Sequence, residues 1–179
     1  MSRFLYFLLL HFVLLGCSFD KNIESIPEDY DGPIIEMYNS MTSYSDNSKL
    51  RLKLNSSEYF VYKNEDEEYP KGLFMEIYST KENKMIATFV SNHVIKFYKD
   101  NFYKATGNVI LTNLETNDVL NTEELLWYPE KEKFFTDKFI TIKTDNELHK
   151  GEGMESNQDF SSYRIIKPMG SIQFEEEWL

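Results

Sequence analysis

Aromatic and β-branched residues recur along this chain in short runs closed off by Asn, Asp, Gly, Ser or Pro, as in Glu58-Tyr59-Phe60-Val61-Tyr62, Gly72-Leu73-Phe74-Met75-Glu76-Ile77-Tyr78 and Phe139-Ile140-Thr141-Ile142. Runs of that kind are strands. At roughly ten-residue spacing, with no helical pattern between them, they predict an all-β sandwich or open roll. The single helical candidate spans Pro33 to Ser43, where Pro33 suits a first turn and Ile34, Met37 and Met41 share one face. Within the strands, alternation puts Val109 and Leu111 on one face, and Ile140 and Ile142 on one face of a later strand. Alternation alone does not distinguish a face that closes on a packed core from one that opens into a groove. With 16% aromatic residues the chain has the apolar material for either.

At the N-terminus, Arg3 precedes the run Phe4 to Leu15, apolar except for His11, which ends in Leu14-Leu15-Gly16-Cys17. One basic residue, a 12-residue apolar stretch and a small residue before a cut make a secretory leader. A spanning helix needs roughly 20 apolar residues, and Ser18, Asp20 and Lys21 end this run sooner. The competing reading is an uncleaved anchor. Cys17 is the only cysteine, which excludes an intramolecular disulfide and a cysteine-based metal cluster. Directly after Leu-Leu-Gly, it reads as the lipidation site of a bacterial lipoprotein, and several acyl chains anchor where one binds only marginally. Residues 1–16 are thus expected to be a lipoprotein signal peptide, 17–27 the lipidated cysteine and a polar tether, and 28–179 the folded domain.

Removing residues 1–16 takes away only Arg3 and leaves 18 basic against 30 acidic residues, a net charge of −12. Nucleic acid is therefore not an expected partner, because a polyanion binder needs a basic face. The runs Glu65-Asp66-Glu67-Glu68 and Glu175-Glu176-Glu177 read as solvated faces or loop tips. Catalytic chemistry is sparse. Only His93 and His149 follow the leader, and no nucleophile motif, Gly-rich phosphate loop or metal-ligand spacing is present. Neither enzyme activity, nor a cofactor, nor a metal is expected. Thr136-Asp137 reads as a strand-entry turn, with Asp capping it through its own side chain, and His93 as an ordinary strand residue.

One ordered string of sheet and turn residues remains: Ala105-Thr106-Gly107-Asn108-Val109, then Leu120-Asn121-Thr122-Glu123-Glu124-Leu125-Leu126-Trp127-Tyr128, then Phe134-Phe135-Thr136-Asp137, then Gly151-Glu152-Gly153-Met154. This order resembles the LptC family, the periplasmic membrane-anchored component of the lipopolysaccharide export ABC transporter. The resemblance reaches upstream through Tyr69-Pro70-Lys71-Gly72-Leu73 and downstream through Asp159-Phe160-Ser161-Ser162-Tyr163. Two departures stand out. Leu114 to Val119 lacks the usual turn glycine, which leaves that hairpin's register open, and a lipobox replaces the family's single spanning helix.

The resemblance implies an antiparallel open β-jellyroll, like that of the bridge protein LptA, with an apolar interior groove for the acyl chains of lipopolysaccharide. Each buried methylene is worth about 0.8 kcal/mol, so acyl chains are expected to slide along a groove and not to cross water. It further implies a periplasmic protein held at the inner membrane by its lipid. It would receive lipopolysaccharide from the inner-membrane ABC transporter subunits and pass it to an LptA-like bridge protein. The groove candidates are Val109, Leu111, Leu120, Leu125, Trp127, Ile140, Ile142 and Phe160, with plain core packing as the competing reading at each. The last strand candidate, Ser171, Ile172, Gln173, Phe174 and Glu175, is the expected partner edge, since a terminal strand leaves backbone groups unpaired. Two other readings share the leader and strands: a periplasmic or surface lipoprotein with a glycan- or protein-binding β-sandwich, and a scaffold that touches no lipid.

Overall fold

The computed structural model describes residues 30–79, 81–82 and 84–173. The expected leader, Cys17 and the tether lie outside the described residues, as do Phe174 to Glu177. Within them the chain forms β1 (Ile35–Asp46), β2 (Lys49–Val61), β3 (Glu67–Tyr69), β4 (Leu73–Tyr78), β5 (Met85–Ser91), β6 (His93–Phe97), β7 (Phe102–Asn113), β8 (Val119–Tyr128), β9 (Lys133–Lys143), β10 (Glu147–Asn157) and β11 (Tyr163–Gln173). Every pairing among them is antiparallel. The only helical turn among the described residues is the 3-10 segment Pro129–Lys131.

The connectivity is an up-and-down meander. β3 and β4 both pair with β2, and β5 and β6 both pair with β7, so each couple is one pass of chain interrupted midway. The interruptions line up from strand to strand as a crease. On β7 it falls between Thr106 and Val109, on β8 between Thr122 and Leu126, and on β10 between Glu152 and Met154. Extra residues in a strand sharpen its twist and bend it. Bent along a shared line, the meander doubles over into two facing layers. Phe89 of β5 stacks across the interior on Phe134 of β9, with ring centroids 6.3 Å apart and planes within 5°.

A bulge breaks ladder bonds, and buried backbone groups need replacements. Short hydroxyl side chains supply them. Ser56 Oγ donates to Gly72 O at 3.1 Å, Ser91 Oγ to His93 O at 3.4 Å and Thr122 Oγ1 to Phe139 O at 2.9 Å, while Thr136 Oγ1 accepts from Lys138 N–H at 3.1 Å. All four residues are buried. Gly72 is fixed by the same geometry: its φ is +73°, and a Cβ there would lie 1.9 Å from Ser91 O.

The angle beside the crease is filled by a dry core that includes Val109, Leu111, Leu120, Ile140, Ile142, Met154 and Phe160, all fully buried. Asn113 ties it to the last turn, donating from Nδ2 to Asp159 O at 3.3 Å.

Several expectations are corrected. Pro33 to Ser43 is not helical: it enters β1, paired with β2 from Ile35↔Val61 to Asp46↔Lys49. A full-length neighbouring strand satisfies that backbone better than an isolated helical turn, and Asn39 at φ 52° is incompatible with a helix. Thr136-Asp137 is not a strand entry but lies inside β9, at the crease, with Thr136 1% exposed. The hairpin lacking a turn glycine keeps a defined register, Thr112↔Val119. Asn117 takes the left-handed conformation at φ 61°, and Asn113 Oδ1 accepts from the N–H groups of Glu115 and Thr116 at 2.7 and 3.0 Å.

Candidate functional site

Away from the crease the two layers part, and between their rims lies a cleft of about 590 Å³. That volume falls within the range of about 300–1,000 Å³ usual for small-molecule sites. One wall comes from the start of β2, where alternation turns Leu52 and Leu54 inward opposite Ile77 and Met75. The facing wall carries Tyr59, Tyr69, Tyr103 and Trp127. At the base a void of about 20 Å³ continues the cleft, sharing Leu54, Tyr103 and Trp127 as its threshold and ending on Phe89, Leu125 and Phe134. A second, more polar recess of about 380 Å³ adjoins it through Arg51, Ile77 and Tyr78.

A single cross-strand row organises the second wall. Glu67 faces Lys96, Lys96 faces Tyr103, Tyr103 faces Trp127, Trp127 faces Phe134, Phe134 faces Ser156 and Ser156 faces Tyr163. The row grades from charged to dry. At its outer end Lys96 Nζ lies 2.6 Å from Glu67 Oε1 and 5.7 Å from the centre of the Tyr103 ring. Burial alone would lower the Lys96 pKa, but the hydrogen bond it donates to Glu67 and the electrostatic pull of Tyr103 and Glu67 hold it above the ordinary lysine range. Burial, aided by the Glu67 carboxylate, pushes Tyr59 and Tyr69 far up. Tyr103 is raised by burial as well, against the opposing pull of Lys96. Glu67 and Lys96 are thus paired among tyrosines whose raised pKa keeps them neutral, and Asp46, Arg51 and Glu132 add further charged groups to the cleft lining.

Glu67 and Glu68 correct the expectation of a solvated acidic run, since both sit half-buried in β3. Glu67 points to the cleft, whereas Glu68 faces the other way, bonded to His93 at 2.8 Å and to the Tyr62 hydroxyl.

The groove candidates divide. Trp127 lines both cleft and void, and Leu125 lines the void. Val109, Leu111, Leu120, Ile140, Ile142 and Phe160 lie together in the dry core and line neither. Ser171, Ile172 and Gln173 end β11, which among the described residues pairs only with β10 and forms one edge of the sheet; β1 forms the other. Leu52, Leu54, Tyr59, Lys96 and Tyr103 were not anticipated. The alternation Leu50-Arg51-Leu52-Lys53-Leu54 marks two of them in the sequence. Lys96 and the tyrosines carry no such mark, because their placement depends on which strands become neighbours.

Two strand layers folded from one meander, dry at the crease and open at the rim, define an open β-jellyroll with an internal cleft. Chemistry does not crowd this site: among the described residues no group of three His, Cys, Asp or Glu is placed to hold a metal. The chain belongs to the family of LptC-related lipopolysaccharide-assembly proteins, whose family model matches residues 9–167. No curated protein matches the chain. Membership makes it a component of lipopolysaccharide transport, acting with lipopolysaccharide and the transport machinery; the family is envelope-associated, has a periplasmic domain and is not known for enzyme activity. No helix among the described residues is long and apolar enough to cross a membrane.

Proposed function

We propose that the cleft between the layers receives acyl chains of lipopolysaccharide from the inner-membrane ABC transporter and passes them to an LptA-like bridge protein joined at the β11 edge. The observation that carries this reading is the apolar-floored cleft of about 590 Å³ running into the Leu54–Trp127 void. Several acyl methylenes placed there would each gain about 0.8 kcal/mol over water. A photo-crosslinking residue at Leu54 or Tyr103 should capture lipopolysaccharide in cells. One at Lys131, outside the cleft, should not. Equal capture at both kinds of position, or none at either, defeats the reading.

The same proposal holds the protein at the inner membrane through lipidated Cys17, so fatty-acid labelling should mark the wild type and not Cys17→Ser. It also makes β11 the junction with the bridge protein. Deleting residues 170–179 should then abolish bridge-protein binding while the circular dichroism spectrum is kept, and unchanged affinity would place the junction elsewhere.

A further inference from the structure

Leu54, Leu52 and Arg51 succeed one another along β2 from the base of the cleft outward. Leu54 lines the void and the cleft, Leu52 the cleft alone, and Arg51 both the cleft and the polar recess of about 380 Å³ beside it. Strict alternation would send Arg51 to the outer face with Lys53, since Leu52 and Leu54 point inward. A bulge diverts it: Tyr44 and Ser45 of β1 face Leu52 and Leu50 of β2, which leaves Arg51 as the extra residue with no partner on β1. Bulges re-aim the side chains they carry. Ile86, passed over in the same way where Ile77 faces Ala87 and Tyr78 faces Met85, lines the recess too. Arg51 is half-buried, and its side chain has neither hydrogen bond nor ion pair among the described residues. Arg164, the other described arginine, is more exposed and still pairs with Glu155 at 3.3 Å. The acidic groups around Arg51 do not serve it. Asp46 accepts from Asn47 Nδ2 at 3.3 Å, Glu115 is taken by Lys84 at 3.5 Å and Asp159 accepts from Ser161 N–H at 3.0 Å, while Glu132 reaches both spaces from the turn after β8 without pairing to it.

Resting on the reading that acyl chains occupy the cleft, we infer that the junction of cleft and recess is an anion subsite, where the Arg51 guanidinium binds a phosphate or carboxylate at the polar end of the bound lipid. A guanidinium meets either group with two parallel hydrogen bonds and stays charged throughout the pH range in which proteins fold. Half-burial screens that contact less than full exposure would. The succession Leu54, Leu52, Arg51 therefore fits one amphiphile, its chain toward the void and its anionic end toward the recess, and it sets the direction in which the lipid lies along β2.

The test uses the full chain and two amphiphiles with the same alkyl chain, anionic dodecyl phosphate and uncharged dodecyl maltoside, titrated calorimetrically below the concentrations at which they form micelles. The quantity read is the ratio of the two affinities, so that any packing change at this lining residue, which acts on both probes, divides out. Loss of a charge-assisted hydrogen bond corresponds to about a tenfold weakening. Arg51→Gln should therefore lower the preference for dodecyl phosphate about tenfold, and Arg51→Lys, which keeps the charge but not the fork, should lower it less. Lys53→Gln removes the same charge two residues along β2, from a side chain that lines neither space, and should leave the ratio unchanged. In a nitrogen-15 spectrum of the wild type, the arginine Nε resonance that is missing from Arg51→Gln should move with dodecyl phosphate and stay in place with inorganic phosphate at the same concentration. An unchanged ratio in Arg51→Gln, an equal fall in Lys53→Gln or a stationary resonance overturns the inference, and a resonance that follows inorganic phosphate alone shows a free-anion site and overturns its lipid. In each of those cases the acyl-chain reading of the cleft still stands. If neither amphiphile binds the wild-type protein, that reading falls, and this inference with it.

Discussion

Thr122→Val tests whether buried hydroxyls hold the crease. Thr122 is 7% exposed, and its Oγ1 donates to Phe139 O at 2.9 Å, with Glu124 O a more distant second acceptor at 3.4 Å. The bond spans β8 and β9 where their register slips between Thr122 and Leu126, so no ladder bond stands ready to replace it. Valine keeps the shape and removes the donor. The lost bond and the Phe139 carbonyl left without its partner together cost about 1–3 kcal/mol. With a urea slope of about 1–3 kcal/mol/M for a small domain, the midpoint should fall by about 1 M with the slope unchanged. Thr122→Ser retains the donor and gives up one methyl, about 0.8 kcal/mol, so it should be the milder change. Equilibrium urea unfolding followed by circular dichroism measures both. A valine variant as stable as wild type, or a serine variant no better than the valine one, would show that the hydroxyl is incidental and the bend is held by the core alone.

Gly72→Ala should destabilise by more than about 2 kcal/mol, from the left-handed backbone and a Cβ placed 1.9 Å from Ser91 O; a wild-type melting temperature would show that the crease relaxes around it. Glu68 is half-buried, and the bonds from His93 and Tyr62 outweigh its burial and hold its carboxyl below the usual glutamate range. A carboxyl with a lowered folded pKa stabilises above its unfolded value and loses that contribution as pH falls through the folded one. The stability gap between wild type and Glu68→Gln should therefore be full near neutral pH and shrink on acidification; a gap independent of pH in urea melts would contradict the assignment. For the Glu67–Lys96 pair, whose side chains are only about one-fifth exposed, a double-mutant cycle of Glu67→Gln and Lys96→Met should return a coupling of about 1 kcal/mol, and additivity would mark the pair as energetically idle.

The strands were legible because period two is written in side chains: Leu73, Met75 and Ile77 alternate inward on β4 just as the sequence has them. The site was legible only in part. Val109, Leu111, Ile140 and Ile142 lie on one side of the register slips and Trp127 on the other, with Leu125 at the slip itself. The side of the bend decides whether an inward residue joins the dry core or lines the cleft, and the bend is marked in sequence only by scattered Ser, Thr and Gly that look like ordinary strand or turn residues. β1 was misread for a related reason. Ile34, Met37 and Met41 fit a helical face, and the competing pattern becomes visible only once β2 is known to lie alongside.

The proposed acyl-chain role requires the cleft to stay open in the absence of cargo, although exposed apolar walls favour collapse onto one another. Two features of the structure oppose it. The interlayer distance is set beside the crease, where Phe89 and Phe134 stack and the residues around them are dry, so the layers are spaced before the cleft begins. At the rim, the closed Glu67–Lys96 pair and the neutral hydroxyls of Tyr59 and Tyr103 give the mouth groups that water solvates well. Burying the pair further against the opposite wall would strip its remaining water, and desolvating an ion pair is costly. Phe134 belongs to both regimes, 1% exposed in the core and yet forming the end of the void. Core and cleft therefore share residues, and a change at Phe134 should disturb stability and lipid capture together, whereas a change at Leu111, which lines neither cleft nor void, should act on stability alone.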